Sequence, residues 1–354
     1  MPRTGLALLL LSGALAPALR AQMAVRAPGG TLTGIVQDSA TGLPVGYALL
    51  ILVERNQRVF ASEGGRFTLS GLPPGRSTLK VQQIGFRAIT ISLLLDTGNA
   101  GAPASSGIIV RLVRQPFMLP EILVRGDACA GAGAEVSESA EAEGTVLGEV
   151  FKNAERLLTL ERSYPFRGAF QRVTTVLDTT YTRTTGWVDT VRYDSRKFSG
   201  YQRGRVIERD RGGSRLENAR YFTSSDLARP EFRKSHCFWY AGRDSLEGFP
   251  GYRIDFAPAS TVRSPDWAGS MILDSASMTL MRSDARLVNL RPGSSFRSAV
   301  CTVLYHQIVP TLVLEFQARC VAMHASTPPQ IVVERWLSVE HNFVGKRPGG
   351  DSLP

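Results

Sequence analysis

Short β-rich runs separated by Gly and Pro most constrain the fold of this chain. Turn residues stand between the runs, which recur at close and fairly regular intervals at 32–36, 47–53, 66–70, 77–82, 88–95 and 107–113. Glycine supplies unusual φ values in tight turns and proline stops ladder pairing, as in Thr41-Gly42-Leu43-Pro44 and Pro73-Pro74-Gly75. Short strands spaced in this way are typical of an all-β sandwich.

The motifs of this region resemble the carboxypeptidase regulatory-like domain, a prealbumin-type β-sandwich. The motifs are residues 34–44, Gly65-Arg66-Phe67, Leu72-Pro73-Pro74-Gly75 and Gly85-Phe86. The resemblance implies a sandwich over residues 31–115 that serves as an accessory domain of secreted and envelope proteins and catalyses nothing. The family usually carries Asp about three residues before Gly-x-Phe. Here Ser62 stands at that position, and this departure is expected to weaken the turn.

Residues 1–21 have the features of an export signal peptide. Arg3 precedes an apolar run at 6–15, and Ala16-Pro17-Ala18 or Ala21 supplies a small-residue cleavage site. The run is about ten residues long, whereas a membrane-spanning helix needs roughly twenty. A buried N-terminal helix is the alternative. Since no cysteine precedes Cys129, the segment lacks the thiol of a lipoprotein signal. We therefore expect an exported protein of the periplasm or the outer-membrane periphery.

The formal net charge of +10 favours anionic partners such as lipid headgroups or acidic glycans. Export makes nucleic acid an unexpected partner. Residues 191–220 carry nine Lys or Arg against four Asp or Glu. One interpretation is a solvated sheet face; the other is a surface for anionic lipid, lipopolysaccharide or acidic glycan. The candidate residues for that surface are Arg192, Arg196, Lys197, Arg203 and Arg205.

Four cysteines in an exported chain favour two disulfides, for which three connectivities exist. Cys301 and Cys320 flank a predicted hairpin centred on Pro310-Thr311, and they face each other in its simplest register. That leaves Cys129 and Cys237, which would attach the interdomain segment to the second domain. Free buried thiols are the alternative.

The simplest register of the same hairpin makes two further pairs. It places Val309 opposite Leu312 and Tyr305 opposite Phe316. Both pairs join apolar or aromatic side chains, as stable cross-strand pairs do.

Beyond the sandwich we predict a flexible linker over 116–144, an α+β domain over 145–342 and a disordered tail over 343–354. Thr145 is expected to cap a helix that reaches about Glu161. The apolar residues of the helix recur at helical spacing and form one stripe that would pack on a sheet: Leu147, Val150, Phe151, Ala154, Leu157 and Leu158. A helix followed by a long β meander is an α+β signature.

Ten β-rich runs follow the helix and predict one large antiparallel sheet. They lie at 170–177, 182–191, 200–207, 237–241, 251–256, 269–273, 279–290, 299–308, 312–321 and 331–339. The stretch that contains 251–256, 267–274 and 279–282 resembles the half-barrel of LolA-type lipoprotein carriers. This resemblance implies, as an alternative function, a carrier or sensor for lipid acyl chains.

Sequence motifs for catalysis are absent. His236, His306, His324 and His341 form no zinc motif, and the chain has no Gly-x-Ser-x-Gly elbow, Walker loop or EF-hand loop. His236 and Cys237 are neighbours, but neighbours on a strand point to opposite faces. We therefore predict no catalytic, metal or cofactor residue, and a non-catalytic envelope protein with a β-rich binding or assembly domain. Carbohydrate binding through exposed aromatic residues of the sandwich is a further alternative.

Overall fold

The computed structural model describes residues 24–28, 30–96, 107–115, 145–209 and 217–350. An N-terminal β-sandwich is followed by a helix and a large antiparallel sheet, so the expected fold class is confirmed. The predicted signal peptide, the predicted linker and Cys129 lie outside the described residues.

Two sheets form the sandwich, in the strand orders β1-β7-β6-β3-β4 and β5-β2-β8. Leu32, Val36, Leu69, Leu79 and Val110 are among the buried residues between them. The sequence did not reveal β1, which precedes the predicted domain, or the four-residue β4. The strands are β1 (Ala24–Pro28), β2 (Gly30–Asp38), β3 (Leu49–Leu52), β4 (Gln57–Phe60), β5 (Arg66–Leu72), β6 (Gly75–Gln82), β7 (Ile89–Asp96) and β8 (Ile108–Leu112).

The turn before β5 keeps its geometry despite the departure at Ser62. The hydroxyl of Ser62 accepts a hydrogen bond from the backbone N–H of Arg66 at 3.0 Å, which is a bond that an Asp side chain could also accept. Gly65 has φ +74°, and a Cβ there would lie 2.5 Å from the carbonyl oxygen of Val36. Glycine is therefore required at this position.

The second region is an α-helix followed by a nine-stranded antiparallel sheet of order β10-β9-β19-β18-β17-β16-β15-β14-β13. Small elements of residues 207–235 connect β10 to β13. The elements are α1 (Val146–Ser163), β9 (Phe166–Leu177), β10 (Arg183–Asp194), β11 (Ile207–Arg209), β12 (Glu217–Ala219), α2 (Pro230–Ser235), β13 (His236–Leu246), β14 (Phe249–Pro258), β15 (Asp266–Asp274), β16 (Leu280–Val288), β17 (Phe296–Val309), β18 (Leu312–His324) and β19 (Gln330–Phe343).

Two sequence expectations for this region are wrong. Residues 200–206 form no strand, because Tyr201 and Val206 instead turn into the core as part of a loop. The predicted disordered tail begins inside β19, which continues to Phe343. The backbone N–H of Val344 then donates to the carbonyl of Pro165 at 2.7 Å.

The helix α1 lies between the sandwich and the large sheet. Thr145 caps it as expected, because its hydroxyl accepts a hydrogen bond from the N–H of Gly148 at 3.0 Å. Val150 and Phe151 pack in the core of the large sheet. Leu157 and Leu160 instead join Leu49, Ile51 and Phe60 of the sandwich, and Phe166, Leu312 and Leu314 of the large sheet, in a second cluster. The sequence predicted one apolar stripe, and the helix is in fact covered on both sides.

Polar residues of α1 bind the sandwich directly. Glu155 accepts hydrogen bonds from Arg58 at 3.0 Å and Gln82 at 2.7 Å. Buried Lys152 donates to Glu149 and to the carbonyl of Phe86, both at 2.8 Å. These pairings explain how charged side chains are tolerated inside the protein, since buried charges need partners.

A disulfide joins Cys301 of β17 to Cys320 of β18, as predicted. Val309 also lies opposite Leu312. Tyr305, however, lies opposite Glu315 rather than Phe316, because a bulge shifts the register between Leu304 and Tyr305. The pairing of Cys129 with Cys237 stays a prediction.

Candidate functional site

One face of the nine-stranded sheet, here called the helix-side face, is filled over β13–β18. The side chains of Phe256, Met271 and Ala285 meet Val150 and Phe151 of α1 there. Residues that follow β10 complete the cover, and they include Phe222, Leu227 and Phe232. The cavity that remains beside α1 measures about 20 Å³, roughly the space of one water molecule.

The sheet opens between β18 and β19. Their ladder runs from the pair His324–Gln330 to the pair Gln317–Leu337 and stops there. Beyond this point β18 pairs with β17 alone and β19 with β9 alone. A cavity of about 230 Å³, here called the split cleft, lies at the opening. Its lining residues are His306, Ile308, Leu314, Glu315, Phe316, Ser338, Val339, Glu340 and His341.

Two bulges on facing strands accompany the opening. One lies between β17 and β18 at Leu304/Tyr305, and the other lies between β19 and β9 at Ser338/Glu340. Phe316 and Val339 are the residues without a ladder partner at these two bulges, and they are 40% and 56% exposed. A further register shift between Gln307 and Val309 leaves Ile308, which also lines the cleft, without a partner. A bulge bends its strand and increases the local twist. The two bends account for the end of the β18–β19 ladder.

Three carboxyl groups lie close together at the split cleft. Glu315 lines it, and Glu161 from the end of α1 and Asp226 from a short 3-10 turn (Ser224–Ala228) lie close enough to act on its charge. Burial raises the pKa of Glu161 to about 8 and also raises the pKa of Glu315. Arg229 pairs with Asp226 at 3.0 Å. Among the described residues, Arg229 is the cation whose charge acts on Glu161, beside the carboxyl groups of Glu315 and Asp226.

His341 lines the same cleft and contacts a tyrosine. The hydroxyl of Tyr193 lies 3.5 Å from Nδ1 of His341. Burial lowers the pKa of His341 to about 4, so its ring is neutral near pH 7. Its Nε2 is buried and has no hydrogen-bond partner among the described residues. Phe166 packs against the ring with centroids 4.5 Å apart.

The basic candidates from the sequence are all exposed. Arg196 makes a two-bond pair with Asp194, at 2.9 and 2.6 Å. Arg203 donates to the carbonyl of Thr261 at 2.7 Å, and Arg205 donates to Gln202 at 3.0 Å. Within the described part of the chain, Arg192 and Lys197 have neither an ion pair nor a hydrogen bond from their side chains. The role of this surface in binding anions stays a prediction.

His236 belongs to a buried hydrogen-bond network that the sequence did not reveal. Its Nδ1 donates to the carbonyl of Phe232 at 3.0 Å, and its Nε2 lies 3.4 Å from a carboxylate oxygen of Asp266. Tyr201 donates to the other oxygen of Asp266 at 2.5 Å. The three side chains are buried, and neither cavity of the sheet reaches them. The network braces the fold and offers no access to a substrate.

The aromatic residues of the sandwich do not form a binding surface. Phe60, Phe67 and Phe86 are buried, and Tyr47 is half-buried. In the ranges that the structure describes, no group of three or more His, Cys, Asp or Glu side chains could hold a metal ion. No helix within those ranges is long and apolar enough to cross a membrane.

Comparisons with known proteins match one region of the chain to a family model. Residues 31–102 match the family model of the carboxypeptidase regulatory-like domain, which confirms the expected resemblance of the sandwich. Among solved structures, the chain is similar to a DUF1329 family protein from Desulfovibrio piger, with 9% identity and a TM-score of 0.31 over 57% of this chain and 95% of that one. No curated protein sequence matches it.

Two other solved structures are similar to this chain. One is described as an outer membrane lipoprotein-sorting protein domain from Vibrio parahaemolyticus, with 12% identity and a TM-score of 0.31 over 56% of this chain and 90% of that one. The other is a LolA superfamily protein from Nitrosomonas europaea, with 10% identity and a TM-score of 0.29 over 57% of this chain and 94% of that one.

Proposed function

We propose that this chain is an exported, non-catalytic envelope protein that binds a segment of a partner protein at the split cleft. The observation that carries the proposal is the end of the β18–β19 ladder, which leaves two strand edges facing each other inside the sheet. Unpaired strand edges are templates for added polypeptide. A cavity of about 230 Å³ beside these edges can receive one or two side chains.

The disulfide between Cys301 and Cys320 supports the exported location, because disulfides persist mainly in oxidising compartments. The signal features of residues 1–21 point the same way. The periplasm or the outer-membrane periphery is the location that we propose. Anionic lipid or acidic glycan at the exposed residues Arg192 and Lys197 is an additional, weaker contact in this proposal.

The packing of the large sheet disfavours the alternative of an acyl-chain carrier. A carrier of this kind needs an apolar cavity that a lipid chain can enter. The helix-side face over β13–β18 is instead occupied by α1 and by Phe222, Leu227 and Phe232. The cavity beside α1 measures about 20 Å³, whereas pockets for small-molecule ligands measure roughly 300 Å³ or more.

In the proposed arrangement the sandwich acts as a brace. It covers the outer side of α1, and the inner side of the same helix fills the sheet. The sandwich would thereby keep the helix in place, close to Glu315 and the split cleft. This role agrees with an accessory domain that has no site of its own.

Site-specific photocrosslinking in the native envelope tests the proposal. A benzophenone side chain at Val339, on the rim of the split cleft, should yield one discrete protein adduct. The same group at the exposed Val300 of β17 is the matched control and should not yield it. Equal labelling at both positions, or none at Val339, would contradict the proposal. Stoichiometric lipid in the purified protein would favour the carrier instead.

A further inference from the structure

We infer that the split cleft selects a cationic side chain of the partner segment, a lysine ammonium or arginine guanidinium, with Glu315 as its anchor. The inference rests on the proposed function and adds the chemistry of the ligand. Arguments for it come from the hydrogen bonds of Glu315, the charge behind it and the walls of the cleft.

Glu315 is held by weak contacts on one of its two oxygens. The backbone N–H and the hydroxyl of Ser224 both donate to its Oε1, each at 3.3 Å. Neither donor reaches Oε2, although the residue lines the cleft. The backbone N–H of Glu315 also supports its ionised carboxylate, and we infer that Oε2 accepts one more hydrogen bond from a donor in the cleft. A charged donor would suit it best, since hydrogen bonds between ionised partners are roughly twice as strong as neutral ones.

The charge balance around Glu315 favours a cation. Glu161 is 5% exposed, and its Oε2 has no hydrogen-bond partner in the described chain. Only its other contacts, with the side chain of Ser225 and the charge of Arg229, support the ionised form. Arg229 already pairs with Asp226. With a pKa of about 8, Glu161 is mainly protonated near pH 7, because an unpaired buried carboxylate is costly. An added ammonium or guanidinium would stabilise the ionised forms of Glu161 and Glu315.

A further carboxylate stands at the cleft itself. Glu340 lines it from β19, and its side chain hydrogen-bonds to Asn342 at 2.8 Å. The neutral ring of His341 adds no positive charge near pH 7. The cleft therefore presents negative groups from β18 and β19 and no Lys or Arg among its lining residues. An anionic or phosphate-bearing ligand would be repelled by this arrangement.

The walls of the cleft suit a long basic side chain. Ile308, Leu314, Phe316 and Val339 provide apolar surface on three strands. Lys and Arg place their methylene stems along such surface while the charged head reaches a polar group. The volume of about 230 Å³ equals about eight water molecules at roughly 30 Å³ each. One extended basic side chain, with a few waters, fits this space.

Two matched pentapeptides test the inference on the full mature chain. The probes are acetyl-Val-Thr-Lys-Thr-Val-amide and the same peptide with norleucine in place of lysine. Binding is measured by titration calorimetry. We expect the lysine peptide to bind roughly tenfold more tightly, the difference that one charge-assisted hydrogen bond supplies. Glu315→Gln should remove this preference.

Glu334→Gln is the control variant. Glu334 lies on β19 of the same sheet, and it is already engaged by Arg172 at 3.5 Å and by Trp336 at 3.2 Å. The preference for lysine should survive this change. Thermal unfolding of both variants checks that each is folded, and Glu161→Gln, which keeps Glu315, should weaken the preference only partly.

The outcomes separate this inference from the proposed function. Equal binding of the two peptides, or a preference that survives Glu315→Gln, would overturn the cationic anchor. Failure of both peptides to bind at millimolar concentration would also overturn it. None of these results affects the crosslinking experiment at Val339, which tests whether the cleft binds a partner at all.

Discussion

The two ends of the nine-stranded sheet use similar residues in opposite ways. In the filled end, over β13–β18, the buried carboxylate of Asp266 accepts hydrogen bonds from Tyr201 and from the N–H of Trp267. In the split end, Oε2 of Glu161 and Nε2 of His341 have no hydrogen-bond partner among the described residues, and the same is true of Nε2 of His236 in the filled end. Unpaired buried polar groups cost free energy, whereas paired ones stabilise a unique fold. The two ends therefore differ in access and not in the number of unpaired atoms, since His341 and Glu315 line a cavity of about 230 Å³ and His236 lines neither cavity.

The largest expected effect comes from Trp267, which is 1% exposed in the filled end. Trp267→Ala should lower the free energy of unfolding by about 3–5 kcal/mol, since it removes a large buried ring. Trp187, on β10 at the other end, is 49% exposed. Trp187→Ala should therefore change stability by less than about 0.5 kcal/mol. Urea denaturation compares the two, and equal losses would abolish the distinction between the ends.

The disulfide lies near the border of the two ends and should also have a large effect. Cys301 and Cys320 are separated by 19 residues, and a loop of this length predicts a contribution of about 3 kcal/mol. Cys301→Ala with Cys320→Ala should lower the denaturation midpoint accordingly. Wild-type protein unfolded with and without a reductant provides the control. An unchanged midpoint in the double variant would show that packing between β17 and β18 stabilises this region without the disulfide.

The pH dependence of stability should reveal the carboxyl groups of the split end. The pKa of Glu161 is raised from 4.5 to about 8 in the folded protein. The folded chain therefore holds this proton more tightly than the unfolded chain. The contribution of Glu161 to the free energy of unfolding should be largest below about pH 4.5. It should fall as the pH rises toward 8. Because one pKa unit corresponds to about 1.36 kcal/mol, the rise from 4.5 to about 8 corresponds to a loss on the order of 5 kcal/mol.

Glu161→Gln isolates this contribution. The variant should be more stable than the wild type at pH 9 and should lose the decline between pH 5 and pH 8. His341 provides the opposite check, because its pKa is lowered to about 4. Stability from a neutral buried histidine falls as pH drops from about 6.5 toward 4. Unfolding curves from pH 4 to pH 9 measure both, and a flat wild-type profile would contradict the burial of Glu161.

The smallest effect is expected on the exposed basic residues beside the split end. Arg192→Ala with Lys197→Ala should leave stability within about 0.5 kcal/mol of the wild type. Binding to vesicles that contain phosphatidylglycerol should fall by up to roughly thirtyfold, because each basic residue near an anionic surface contributes roughly 1 kcal/mol. Arg243→Ala with Arg263→Ala removes two exposed charges elsewhere and serves as control. Equal vesicle binding by the two double variants would show that Arg192 and Lys197 do not form a specific surface for anionic lipid.

Much of the fold could be predicted because local chemistry decides it. Gly65 and Ser62 shape a turn within a few residues, and Thr145 caps α1 through its own hydroxyl. The disulfide followed from a hairpin whose register is short-range. The β-rich run at 200–206 was misread because Tyr201 and Val206 pack on distant residues, and burial of this kind has no period of two.

The split cleft could not be predicted from the sequence. It depends on two bulges, and the hydrophobic pattern of β18 gives no local signal that Phe316 rather than Glu315 will lose its partner. The burial of Glu161 depends equally on its distant neighbours Ser225 and Arg229. Charged helix residues usually face solvent. Glu161 is buried instead, because the sandwich and residues 224–229 cover α1.

The double cover of α1 has a mechanical consequence. A force applied to the sandwich is transmitted to the large sheet through Leu157, Leu160 and Tyr164. These side chains belong to a cluster that includes residues of the sandwich and of the large sheet. Tyr164 also accepts a hydrogen bond from the backbone of Phe60 at 3.0 Å. Tension applied to one domain is therefore transmitted sideways through a packed interface as well as along the backbone. A partner protein that displaces the sandwich would therefore also apply force to α1, which lies next to the split cleft.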